Sequence, residues 1–364
     1  MPTPDEPGNG GERSAKVAGA GGGFSLPETT GDLRTPGQLS TKLSVISTNL
    51  LLAIVLLIVL LWSSTLFNDT MSEHVGDIEG FIARVTAPFH RLFGFLRSIG
   101  GNLPGGSGGF IAPVLMLITA AVIYTLAEPN VGFNKPTLVL FAAFVIGIGI
   151  TTYVYEGGEA IITHRAFNVP AVVRVVPFAV AIAAGFVLVS RLIDFPAPIV
   201  YGFIAAATVL GAAKLDDRQS GIAVALPATI LLGLGLGAWA LVGPLRDAAG
   251  DSDNWAAHVP SETAAAFFVG SIEGLLFTMV PLRFSDGGKI YRWHRLVWLP
   301  LFAIPAFLFS WVVLNPQAAA FDALLTGRVV FVVCLVAIYA AAVFAIWAYF
   351  HYRHIRSQER PLLP

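Results

Sequence analysis

The sequence predicts an all-helical, polytopic membrane protein, and three observations carry that prediction. Hydrophobic residues make up 55% of the 364-residue chain, charged residues only 12%, and mean hydropathy is +0.73. A soluble domain usually has about a quarter of its residues charged. Apolar stretches recur that reach or approach the roughly 20 residues a helical bilayer crossing needs. They are uninterrupted, whereas barrel strands would alternate about every second residue. About nine such stretches read as transmembrane helices: 43–66, 109–127, 137–158, 171–190, 199–213, 222–244, 263–282, 295–314 and 328–350. The net charge of −1 gives no basic surface for nucleic acid.

Residues 1–40 stand apart. Gly-Asn-Gly-Gly at 8–11 and Gly-Ala-Gly-Gly-Gly at 19–23 lie among Pro, Ser, Thr and mixed charges. Such a tail cannot bury a core, and disorder is predicted for it. The first apolar run begins too late and runs too long for a cleaved signal peptide, so it reads as an uncleaved first span of a transmembrane domain over 41–350. Within residues 72–99, Ile78, Phe81, Ile82, Val85, Phe89, Leu92, Phe93 and Leu96 recur at helical spacing with Arg84, Arg91 and Arg97 between them. That pattern fits an amphipathic helix lying on the membrane, or a re-entrant segment. Asn-Leu-Pro-Gly-Gly-Ser-Gly-Gly at 102–109 then breaks the chain.

Two carboxylate motifs sit at the ends of apolar runs. Residues 155–159 read Tyr-Glu-Gly-Gly-Glu and residues 285–289 read Ser-Asp-Gly-Gly-Lys. On a helix Glu156 and Glu159 are i and i+3 and share a face. An ionised acid at bilayer depth costs roughly 2.5–3.5 kcal/mol on insertion scales, so the pair is expected to face the bundle interior and to meet a proton or a cation. The alternative is a solvated helix end where both carboxylates reach water. Glu273, near the middle of 263–282, is a functional candidate on the same ground. Arg174 lies near the start of 171–190, within reach of pairing with Glu273 or of snorkelling. Gly233, Gly235 and Gly237 lack the Lys-Ser/Thr of a phosphate loop and read as helix packing. Cys334 is the only cysteine, which excludes an intrachain disulfide and a cysteine zinc cluster.

Lys and Arg collect on cytoplasmic loops. The richer loops carry His164 and Arg165, then Lys214 and Arg218, then Arg283, Lys289, Arg292 and Arg295; the tail 351–364 adds Arg353, Arg356 and Arg360. Counting spans puts all of them on one side, with a basic cytoplasmic C-terminus and both motifs toward the cytoplasm. Nine spans place the N-terminus outside, against the charges flanking the first span (Lys42 before it, Asp69 and Glu73 after it).

The run Tyr-Glu-Gly-Gly-Glu-Ala-Ile-Ile-Thr-His-Arg-Ala-Phe-Asn-Val-Pro at 155–170 resembles the first motif of the site-2 protease family of intramembrane metalloproteases. There His-Glu-x-x-His is followed by a small residue, a basic stretch and a turn ahead of a short extended segment. Val-Pro-Leu-Arg-Phe-Ser-Asp-Gly-Gly-Lys-Ile at 280–290 resembles that family's second motif, with Pro281 and Asp286 at the corresponding offsets. The resemblance covers about 137–295 and implies a three-helix core there. It assigns Asp286 as a metal ligand and Glu156 as the base that deprotonates a metal-bound water. Tyr155 and Glu159 stand where the two ligand histidines belong. Gly274-Leu275-Leu276-Phe277 is also similar to a signature of actinobacterial multi-span (FGLLP-motif) proteins.

The departures shape the expected chemistry. Catalytic zinc takes three protein ligands, with imidazole and thiolate favoured, and an open position. Tyr155, Glu159 and Asp286 offer oxygen only, which suits Mg, Ca or Mn better than zinc. His164, five residues beyond Glu159, is the nearest substitute imidazole, and interfacial anchoring is its alternative role. The reading is a multi-pass cell-membrane pseudoprotease that binds or regulates transmembrane client proteins, with no bound cofactor expected. An active metalloprotease on zinc or another divalent metal, and a proton- or cation-coupled transporter using Glu156, Glu159, Glu273 and Asp286, are the alternatives.

Overall fold

A computed structural model describes residues 25–73, 111–175, 177–192, 205–210, 214–314 and 327–358. The chain is mostly helical. The long helices are α1 (Leu43–Glu73), α2 (Ile111–Thr125), α3 (Lys135–Phe167), α4 (Pro177–Leu192), α5 (Asp217–Ala249), α6 (Trp255–Thr278), α8 (Arg295–Leu314) and α9 (Gly327–Gln358); α7 (Asp286–Trp293) is short. Five of them, α1, α3, α5, α8 and most of α9, are long and apolar enough to cross a membrane. Their starts follow local chemistry. The Asn134 side chain caps α3 by accepting from Thr137 N at 2.9 Å, just ahead of Pro136. A reciprocal Asp216–Gln219 capping box opens α5.

Two segments differ from the sequence reading. The stretch 199–213, predicted as a span, contributes the five-residue strand β2 (Ala205–Val209) in its described part. The first residues of 171–190 form β1 (Ala171–Val175), antiparallel to β2 with Val173 opposite Ala207. Asn168, at φ 54°, ends α3 in the left-handed conformation. Pro170 and Pro177 then bracket a Val-rich run too short for a helix, and β-branched residues in an extended run favour a strand. The predicted amphipathic segment 72–99 lies outside the described residues beyond Glu73.

The helices run between two ends of the bundle, and α4 and α5 both run away from the end that holds the motifs. At one end Asn68 Nδ2, near the close of α1, donates to Pro281 O, and Arg283 N donates to Asn68 Oδ1. Arg292 of α7 reaches Asp217 at the start of α5. At the far end Arg191 closes α4 on Leu126 O and Glu128 O, and Lys135 reaches Asp253 O. Residues 25–40 pack at that far end, where the sequence predicted disorder for the whole of 1–40. Arg246 donates to Thr30 O and Leu33 O while pairing with buried Glu262, and Trp239 Nε1 donates to Arg34 O. Leu33 and Leu39 are buried there.

The main apolar core joins α5, α6, α7 and α8, with Phe268, Leu275, Ile290 and Phe302 fully buried. A second cluster packs α2 and α4 against the first half of α3. Of Gly233, Gly235 and Gly237 in α5, Gly235 is the one in close contact, where a Cβ would meet Ser271 Cβ at 3.0 Å. Rows of apolar side chains stay exposed on α1, among them Leu51, Ile58 and Trp62, as a face toward lipid requires.

Candidate functional site

Tyr155 and Glu156 fall in a π-helical turn, Tyr153–Gly157, set within α3. Such turns insert one extra residue and re-aim the side chains around it. Helix α7 is aimed from the other side. Ser285 caps it by accepting from Gly288 N at 3.1 Å. Its Gly-Gly pair is a packing requirement: a Cβ on Gly287 would lie 2.2 Å from Met279 O, and one on Gly288 1.8 Å from Leu282 O. Only glycine admits that approach of backbone to backbone. The Asp-Gly of the second motif thus seats α7 under the end of α6.

The two motifs meet. Tyr155 is 1% exposed and its hydroxyl donates to Asp286 Oδ2 at 3.1 Å. Lys289 Nζ donates to Asp286 Oδ1 at 2.7 Å and to Glu159 Oε1 at 3.2 Å. The three residues standing at the family's ligand positions are therefore joined, with a lysine ammonium between the two carboxylates. Burial works against the charge on Lys289, but Asp286 and Glu159 outweigh it and hold its pKa above the ordinary lysine value.

Glu156 is turned elsewhere. It is 5% exposed, and its Oε2 accepts the backbone N–H of Ala207 on β2 at 2.6 Å. The residue matching the family's base thus ties a strand edge to α3.

Of the remaining candidates, Arg174 and His164 form no ion pair with this cluster among the described residues. Glu273 is buried in the middle of α6. Arg174 is exposed on β1, and a Glu273–Arg174 ion pair, one of the roles open to them, is absent among the described residues. His164 is exposed near the end of α3, where it lines the rim of a groove with Arg165. Sequence reasoning missed two participants, Lys289 and the Ala207 amide. The signal for Lys289 was its spacing: i+3 from Asp286 puts both on one face of a helix.

The cluster does not fit a catalytic zinc. Zinc–oxygen bonds are about 2.0–2.2 Å long, so a metal shared by Asp286 and Glu159 would have to stand where the ammonium stands. Like charge excludes both at once. Among the described residues no three His, Cys, Asp or Glu side chains converge to hold a metal.

The groove beside the site has a volume of about 740 Å³. Its walls are Val114 and Leu117 of α2, Gly157, Ala160 and Ile161 of α3, and Val172 of β1. No protein-family model, curated protein or solved structure matches the chain.

Proposed function

We propose that this chain is a membrane pseudoprotease, with a site-2-protease-like core that recognises transmembrane client proteins without cleaving them. One observation carries the reading: the Lys289 ammonium stands between Asp286 and Glu159, where a metal would be held. Metal-assisted hydrolysis needs a metal-bound water of lowered pKa, and a positioned lysine supplies no such water. Glu156 is committed to the Ala207 amide, so its carboxylate is not aimed at a nucleophile. The site keeps the charge balance of a metal centre and so keeps its shape.

The client surface in this reading is the apolar groove between α2, α3 and β1, with His164 and Arg165 at its mouth. The motif end, which carries Arg165, Arg283, Arg292 and Arg295, faces the cytoplasm under the positive-inside rule. Helix α9 runs toward that end, from Val332 beside Phe309 to Tyr339 beside Ser64.

The test is photo-crosslinking from Ile161 in the full-length protein in its native membrane, with cleavage of captured partners followed in parallel. Capture of intact single-span proteins is expected, unchanged by Glu156→Gln. Partners cut in the wild type and left whole in Glu156→Gln would refute the reading.

A further inference from the structure

On the back of α7 lies a second, separate feature. A cleft of about 410 Å³ opens between the end of α1 and the helices α7 and α8. Three arginines line it, Arg283, Arg292 and Arg295, against one carboxylate, Asp69. Arg292 is held in place by donating to Arg283 O at 2.9 Å, and Arg295 stacks over the Tyr291 ring at 4.9 Å. The Arg283 side chain makes no hydrogen bond or ion pair among the described residues and is exposed. Three guanidinium groups converge on one cleft, and two of them are already positioned.

The depth of the cleft indicates what it holds. The apolar run of α1 gives way to Asn68 and Asp69 at this level, and that of α8 begins at Leu296. Phe284 and Leu296 flank the arginines and are 70% and 75% exposed. Phe284 packs edge-on to Phe67 of α1. Apolar side chains bared beside arginines mark the boundary between hydrocarbon and headgroups, where basic pockets between helices bind anionic lipid heads. We infer that this cleft is a binding site for the phosphate headgroup of an anionic membrane lipid, with Arg283, Arg292 and Arg295 as its cationic wall.

The inference stands independently of the pseudoprotease reading. Gly288, Tyr291 and Arg292 face the cleft, and helical spacing puts them opposite Asp286 and Ile290 on α7, with Lys289 on the flank between. A bound headgroup therefore braces, from behind, the helix that carries Lys289.

Native mass spectrometry of the full-length protein, titrated with phosphatidylglycerol, phosphatidylcholine or inorganic phosphate, tests this. Phosphatidylglycerol should bind in preference to phosphatidylcholine, and inorganic phosphate at equal concentration should not displace it. R283Q/R295Q should weaken phosphatidylglycerol binding by about fivefold per arginine removed and leave phosphatidylcholine unchanged. R218Q, at the start of α5 and outside the cleft, should behave as wild type. Because the Arg283 side chain has no hydrogen-bond or ion-pair partner among the described residues, R283Q alone keeps the test open should the double variant unfold. Equal binding of the two lipids, or an R283Q protein with undiminished preference, would overturn the inference. Displacement by inorganic phosphate would assign the cleft to a soluble anion and overturn the lipid assignment.

Discussion

Lys289 does for Asp286 and Glu159 what a dication would do, neutralising two carboxylates that would otherwise repel at partial burial. Removing one partner of such a group leaves charge uncompensated, at a cost of about 3–5 kcal/mol when fully buried. Lys289 keeps 30% side-chain exposure, so Lys289→Met should cost near the lower end, about 3 kcal/mol, in unfolding of the purified protein. Lys289→Arg should recover most of it. The lysine pKa is raised, so its contribution is complete below the ordinary value of 10.5 and fades only above that. Protonation of Lys289 therefore does not switch the site at neutral pH. Glu156 makes a second residue-scale prediction. Gln retains a carbonyl to accept from Ala207 N, whereas Ala leaves that amide without its acceptor. Glu156→Ala should destabilise by about 1–3 kcal/mol and speed hydrogen exchange at Ala207, while Glu156→Gln should do neither. Tyr155, Glu159 and Asp286 were singled out in the sequence because carboxylates at the ends of apolar runs are conspicuous. Lys289 was not, because a basic residue after a span reads first as a topology signal.

Elements were legible where apolar periodicity was long and misread where it was short. The strands β1 and β2 come from apolar runs that composition alone cannot separate from helix. Pro170, Asn168 and Pro177 were the available cues, since they end one helix, begin the next and leave five extended residues between them. Folding of residues 25–40 could not be read from their composition. Their order comes from distant donors, Arg246 and Trp239, that satisfy their carbonyls. Arg246→Ala should both leave Glu262 buried without its cation and release this segment. The expected result is a loss of about 3–5 kcal/mol together with new protease cleavage within 25–40. At α7 the constraint is steric. Gly288→Ala drives a methyl into Leu282 O and should lower stability by at least the 1–3 kcal/mol typical of overpacking, read as a drop in thermal midpoint.

At the scale of the molecule, the helices give the bundle two unlike ends. One end holds the motifs, the strand pair and the arginine cleft; the other holds residues 25–40, Arg191 and Arg246. The sequence showed a mostly helical chain with helices long and apolar enough to cross a membrane, because composition reports apolar surface directly. It did not show which apolar runs form such helices, since strands and helices share the same residues there. With Cys334 replaced by Ser, D251C at the far end should react with an impermeant thiol reagent in intact cells, and R218C at the motif end only after permeabilisation. The central claim, that a lysine stands in the place of a metal, is tested most directly by elemental mass spectrometry of the purified full-length protein, with Asp286→Ala alongside. Lys289 in that position predicts no stoichiometric zinc in either protein. Stoichiometric zinc in the wild type, lost in Asp286→Ala, would contradict it.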